Sequence, residues 1–250
     1  MSNHLVHYIC GIADNSLILG QRLGELCGHG PSLETDIALT NISLDLFGQV
    51  RSYFQYAAEL KGEQSTEDTF AFLRKEQEYR NVLLVEQPNT DFAYVIARQF
   101  LFDVYHQLFL EQLQSSSDQT LAAIAKKSLK EVTYHVRFSS DWVIRLGDGT
   151  EESHTRMSAA IADLWIFTEE LFSSTEVEKE MASAAIGVDV ALLRDAYFNR
   201  VHSVLNEATI SIPDVKYFQK GGKQGVHTEH MGYILTEMQY MQRTYPNMTW

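Results

Sequence analysis

The 250-residue sequence predicts an all-α protein, on three observations. Its four prolines, Pro31, Pro88, Pro213 and Pro246, all stand where helices should start or stop. Proline costs about 3 kcal/mol inside a helix, so this placement leaves long stretches free to coil. Apolar residues recur three or four apart, and Ser, Thr, Asp and Asn precede the recurring runs as caps.

The first helix is predicted from about Leu5 to Cys27, with Leu5, Ile9, Ile12, Leu19 and Leu23 at helical spacing and "CGHGP" as its stop. A second runs from Leu33 toward Lys61 on Ile42, Leu46, Val50, Phe54 and Ala57, and Gly62 ends it. "STEDTF" caps a third helix expected to end near Pro88, and "NTD" caps a fourth over about Asp91 to Gln114. "SSSD" opens a fifth through Leu146, "GDGT" turns the chain, and a sixth continues through Trp165 to Phe172. A short piece near Glu176, a helix from about Asp189 to Ala208 and a last one from Thr228 to Arg243 complete the pattern. No fixed-period repeat or Ser/Pro-rich linker divides the chain. The expectation is one helical domain over 1–250, with a core bundle at about 33–172 and a C-terminal helical extension at about 175–250.

Composition narrows the function classes. A formal charge of −13 opposes binding to a polyanion, which needs clustered Lys and Arg. The two cysteines, Cys10 and Cys27, suit a reducing compartment and are expected to pack as small apolar groups. The amino-terminal stretch has neither a cationic lead nor a long apolar run, and no segment reaches the ~18 consecutive apolar residues of a membrane span. A cytoplasmic protein is expected.

Di-iron carboxylate bundles take one carboxylate from each of two helices and Glu-x-x-His from each of two others, because a three-residue step puts both ligands on one helical face. The four long helices here would each offer a candidate at comparable depth: Asp45 in "NISLDLFGQ", Glu76 in "RKEQEYRN", Asp103 in "FLFDVYHQ" and His135 in "KEVTYH". Each half of such a site lacks a ligand, since Tyr79 stands three residues after Glu76 and Val132 three before His135. Three carboxylates and one imidazole leave two divalent ions underbalanced and under-ligated, so no metal site is expected. Asp103 and His106 form an Asp-x-x-His pair, either ligands or, more commonly, hydrogen-bonded to each other. Glu131 is one residue off and turned by ~100°, hence partly exposed. Tyr79 and His135 are the expected partners for carboxylates left inside.

Near the C-terminus, "GGKQGVHTEHMG" holds His227, Glu229 and His230. His227 and His230 would share a face if the helix began there, giving a surface metal site; capping by Thr228 is the alternative. Lys216, Lys220 and Lys223, around Gly221 and Gly222, form either a contact for an anion such as a coenzyme phosphate or, more simply, a solvated loop. The sequence has no nucleophile elbow, P-loop, dinucleotide fingerprint or Cys-pair zinc spacing.

Taken together, "QRLGELCGHGPSLETDIALTNISLDLFGQVRSYFQYAAEL", "LLVEQPN", "KEVTYHVRFSSDW", "LWIFTEELF" and "GGKQGVHTEHMGYILTEMQYMQR" resemble the family of non-catalytic, structural subunits of the multicomponent phenylacetyl-CoA epoxidase, over nearly the whole chain. The resemblance implies a ferritin-like bundle with a degenerate di-iron site and no catalytic or cofactor-binding residues of its own. In the catalytic paralogue, it further implies, Glu stands at the Val132 position and His at the Tyr79 position. The implied partners are the catalytic di-iron subunit, a small accessory subunit and copies of the chain within a hetero-oligomer. Iron, and the NADPH, FAD and iron–sulfur cluster of a reductase, belong by this resemblance to partner subunits. A self-sufficient di-iron oxidase using Asp45, Glu76, Asp103, His106 and His135, and an unrelated helical adaptor, are the rival readings.

Overall fold

A computed structural model describes residues 2–62, 64–246 and 248, and every regular element among them is helical. The helices are α1 (Ser2–Glu25), α2 (Leu33–Lys61), α3 (Glu67–Phe72), α4 (Phe92–Leu113), α5 (Gln119–Gly147), α6 (Glu151–Trp165), α7 (Glu176–Ser183), α8 (Arg194–Glu207) and α9 (Glu229–Thr244). The capping chemistry reads as the sequence predicts. Ser32, Asp91 and Asp118 accept N–H groups at the starts of α2, α4 and α5, and Thr66, Thr150 and Thr175 form capping boxes. Among the described residues, no helix is long and apolar enough to cross a membrane.

The helices gather into two compact units. In the first, residues 1–86 and 221–250, α1 packs along α2, and α9 lies against α1 and α3. Ile9, Ala13, Ile18, Leu19 and Leu23 of α1 meet Ile42, Leu46, Tyr53 and Phe54 of α2 in its core, all fully buried. In the second, residues 87–220, α4 packs against α5, α6 and α8. Helix α4 is buried nearly all round, which explains its lack of a polar face.

The third predicted helix is corrected. Instead of continuing to Pro88, α3 stops at Phe72, a 3-10 turn covers Glu76–Glu78, the chain extends through Tyr79, and a second turn covers Leu83–Glu86. Side chains of α1 cause the change. Asp14 and Asn15 accept the backbone N–H groups of Arg80 (2.8 Å) and Val82 (2.8 Å), which a helix would have spent internally. Asp14, fully buried, also takes a fork from Arg74, whose Nη1 donates at 2.9 Å and whose Nη2 also bonds it. Arg74 stacks over the Tyr79 ring at 4.1 Å and ties back to the Phe70 carbonyl at 2.6 Å. The sixth helix likewise ends early, at Trp165, before a 3-10 turn over Thr168–Phe172. Cys10 is buried and its thiol pushed up to about 12 by burial, as packing requires, but Cys27 is exposed beyond the end of α1.

Asp14→Ala should destabilise the protein by about 3–5 kcal/mol in urea denaturation, because the Arg74 guanidinium loses its buried carboxylate and the Arg80 N–H its acceptor.

Candidate functional site

Of the predicted residues, Asp45, Glu76 and Tyr79 belong to the first unit, and Asp103, His106, Glu131, Val132 and His135 to the second. Within the second unit, α4 and α5 carry a fully enclosed polar cluster. Asp103, His135 and Val132 have no exposed surface and His106 has 3%, while Glu131 is half-exposed as its phase predicts.

Asp103 finds partners other than those expected. Gln99 Nε2 donates to its Oδ1 at 2.6 Å, and Ser139 Oγ lies 2.8 Å from its Oδ2 and 2.9 Å from the His135 carbonyl. Burial raises its pKa to about 8, against the opposing pull of the Ser139 and Gln99 hydrogen bonds. Ser139 Oγ is placed to donate to Asp103 Oδ2 or to the His135 carbonyl, and burial favours the protonated acid. His106, expected to pair with Asp103, instead packs its ring on Phe102 at 5.2 Å, and its Nδ1 has no hydrogen-bond partner among the described residues. Burial, with His135 nearby, pushes its pKa down to about 3, so it too is neutral.

The first unit's candidates do not share a helix face. Asp45 is half-buried on α2, whereas Glu76 lies in the 3-10 turn, half-buried, with the extended Tyr79 beyond it. The comparable depth expected of the four candidates is therefore absent. Tyr79 is fully buried, but its hydroxyl donates to the Ala71 carbonyl (2.6 Å) and accepts from Gln239 (2.8 Å), not from any carboxylate of the predicted cluster.

The carboxylate that organises the first unit is Glu86, which no motif in the sequence singles out. Fully buried, it accepts from Asn81 Nδ2 (2.9 Å), His227 Nδ1 (2.6 Å), and the Thr228 N–H (2.9 Å) and hydroxyl (2.7 Å). Arg22 meanwhile grips its backbone carbonyl through Nε and Nη2 at 3.0 and 2.7 Å. His227 thus precedes α9 rather than sharing a face with His230, and the Thr228 hydroxyl serves Glu86 instead of capping α9. Burial lowers the His227 pKa, but the Glu86 hydrogen bond and charge outweigh it, leaving the net shift upward. Glu229 is exposed and His230 half-buried.

The glycine-rich loop is no solvated phosphate cradle either. Lys216 and Lys220 are exposed in the second unit, but Gly221, Gly222, Lys223 and Gly225 are buried in the first. A Cβ on Gly222 would lie 2.2 Å from the Asn81 carbonyl oxygen, so only glycine lets this strap lie on the extended segment.

The donor set does not fit a binuclear iron centre. Among the described residues, no three His, Cys, Asp or Glu side chains come together as a cation site. In the second unit, the oxygens of Asp103 are taken by Gln99 and Ser139. Burial favours the neutral form of both Asp103 and His106.

The profile of a family described as phenylacetic acid catabolic proteins matches residues 1–250. The chain belongs to that family. It is 49% identical, over 99% of its length and 100% of the relative's, to a subunit of the 1,2-phenylacetyl-CoA epoxidase of Escherichia coli (strain K12). Members of the phenylacetic acid catabolic protein family have a ferritin-like helical fold, in keeping with the all-helical architecture here.

Asp103 binds its extra proton only in the folded state between about pH 3.8 and 8, so stability must fall as pH rises through that window. His106 acts oppositely, adding stability as pH rises from about 3 to 6.5, where only the unfolded chain is protonated. The two slopes offset below 6.5 and leave the Asp103 loss above it. Asp103→Asn should therefore flatten the decline between pH 6.5 and 8 relative to wild type, as measured by denaturant unfolding; parallel curves would contradict the neutral acid. His227→Gln should reduce stability most at low pH, because a raised His pKa stabilises below its unfolded value of 6.5 and stops doing so as pH passes the folded value.

Proposed function

We propose that this chain is the non-catalytic, structural subunit of a cytoplasmic phenylacetyl-CoA epoxidase, pairing with a catalytic di-iron subunit as two ferritin-like chains pair. Its contribution is the binding energy that holds the partner in shape. The catalytic subunit would hold the iron and the phenylacetyl-CoA. A small accessory subunit would assist it, and a reductase with FAD and an iron–sulfur cluster would pass on electrons from NADPH. The observation that carries the reading is Asp103, a buried acid satisfied by Gln99 and Ser139, together with a fully buried Val132 on α5 where the resemblance puts a ligating Glu in the catalytic paralogue. The 49% identity to an epoxidase subunit supports it.

A self-sufficient di-iron oxidase fits less well. It would draw on Glu76, which sits in a 3-10 turn, and on His106, whose ring packs on Phe102.

The test is co-expression of the tagged chain with the catalytic paralogue of the same organism. Co-purification is expected, together with far less than one iron per chain when this chain is purified alone. Near-stoichiometric iron with an oxo-bridge absorption in the isolated chain would overturn the proposal.

A further inference from the structure

Helix α5 leaves its bases unpaired on a chain rich in acids. Its outward face carries Lys126, Lys127, Lys130, Tyr134, Arg137 and Arg145, all exposed and opposite the buried Leu121, Val132 and Ser139. At 100° per residue the six fall within about 100° of one another. Elsewhere in the same unit the pattern differs, for every Lys and Arg on α6, α7 and α8 has an acidic partner. Arg156 has Glu152 and Asp91, Lys179 has Glu176, Arg194 has Glu169, and Arg200 has Glu111. None of the five bases on α5 has an ion-pair or hydrogen-bond partner among the described residues, and even Asp141, one turn from both Arg137 and Arg145, pairs with neither.

The helix itself gains nothing from this arrangement. Lys126 and Lys127 stand four and three residues before Lys130, spacings at which like charges destabilise a helix. Acids outnumber bases 33 to 20 along the chain, yet α5 holds five bases against Glu131 and Asp141. The carboxylates that would satisfy this face are not supplied from within the unit.

We propose that the outward face of α5 docks a carboxylate-rich face of another protein component of the epoxidase, with Tyr134 at the centre of the contact. Charge selects the occupant. A second copy paired about a two-fold axis would set base on base, and a head-to-tail pairing would not close. A nucleic acid or a membrane extends past a stripe about 28 Å long and would meet the rest of the chain, where acids outnumber bases about two to one. A folded protein that presents carboxylates over the length of the stripe meets the bases alone. Tyr134 is 49% exposed between Lys130 and Arg137, and Tyr and Arg are the residue types on which binding energy concentrates. A contact one helix face wide belongs with dissociable, salt-sensitive encounters rather than with permanent pairings. The inference rests on the reading of this chain as an epoxidase subunit, but not on which surface meets the catalytic subunit.

The test mixes the full chain with the other components of the epoxidase of the same organism at about 50 mM NaCl and adds a water-soluble carbodiimide, which condenses a lysine amine with a carboxylate held against it. Mass spectrometry of the digest should find Lys126, Lys127 or Lys130 joined to an Asp or Glu of another component, with the yield cut at least about fivefold at about 300 mM NaCl. Lys130→Glu, which turns two like-charge spacings into opposite-charge ones, should keep or raise the melting temperature. K130E/R137E should weaken affinity for the joined component at least about tenfold in calorimetric titration. Co-purification of the catalytic paralogue without any amide from these lysines, amides only to another copy of the chain, or unchanged affinity of K130E/R137E would each overturn the proposal. So would wild-type binding to a single-stranded DNA of about 20 nucleotides, or to phosphatidylglycerol vesicles, that the double variant loses, because phosphate would then be the ligand. If the catalytic paralogue fails to co-purify while Lys130 is joined to another component, the docking face stands and only the catalytic pairing falls.

Discussion

A carboxylate taken out of water must be neutralised or fully hydrogen-bonded, and this protein meets that requirement with its own donors. Asp103 is met by Gln99 and Ser139, Glu86 by Asn81, His227 and Thr228, and Asp14 by Arg74 and the Arg80 N–H. Each set replaces what a metal ion would do elsewhere, and each leaves its oxygens committed. The consequence is electrostatic: interior acids whose oxygens are already hydrogen-bonded cost less to bury.

The three sets do different structural work. Asp14 and Asn15 pull the segment after α3 out of helix and lay it against α1. Glu86 then fastens the C-terminal strap to that segment, so that a loop bearing Gly222, Lys223 and His227 becomes a buried buckle at the start of α9. In the second unit Asp103 is met by a neutral amide and by the Ser139 hydroxyl, which also reaches the His135 carbonyl.

Much of this is legible in the sequence, and the parts that are not share a cause. Helix α2 runs from Leu33 to Lys61 as the Ser32 cap and Gly62 stop predict, because both signals are local. The third helix departs from its prediction because its local propensity is helical, while the side chains that capture its backbone lie some 65 residues away on α1. Asp103 and His135 are recognisable as interior from their apolar neighbours, and Gln99 and Ser139 stand four residues before or after cluster members, a spacing that carries a usable signal. Glu86 gives no such signal: it sits in an irregular segment, and its partners His227 and Thr228 lie more than 140 positions on. The resemblance of whole segments to the structural subunits of the epoxidase identifies the family where ligand counting alone leaves a degenerate site and an adaptor equally open.

The central claim is that Asp103 is a neutral acid held by protein donors. Its most direct test is a ¹³C NMR titration of the aspartate side-chain carbons, with Asp103 assigned by loss of its signal in Asp103→Asn. The account predicts a carboxyl that titrates near pH 8 and is unmoved by ferrous iron added under anaerobic conditions. A signal that titrates near pH 4, or one that ferrous iron broadens at stoichiometric amounts, would contradict it.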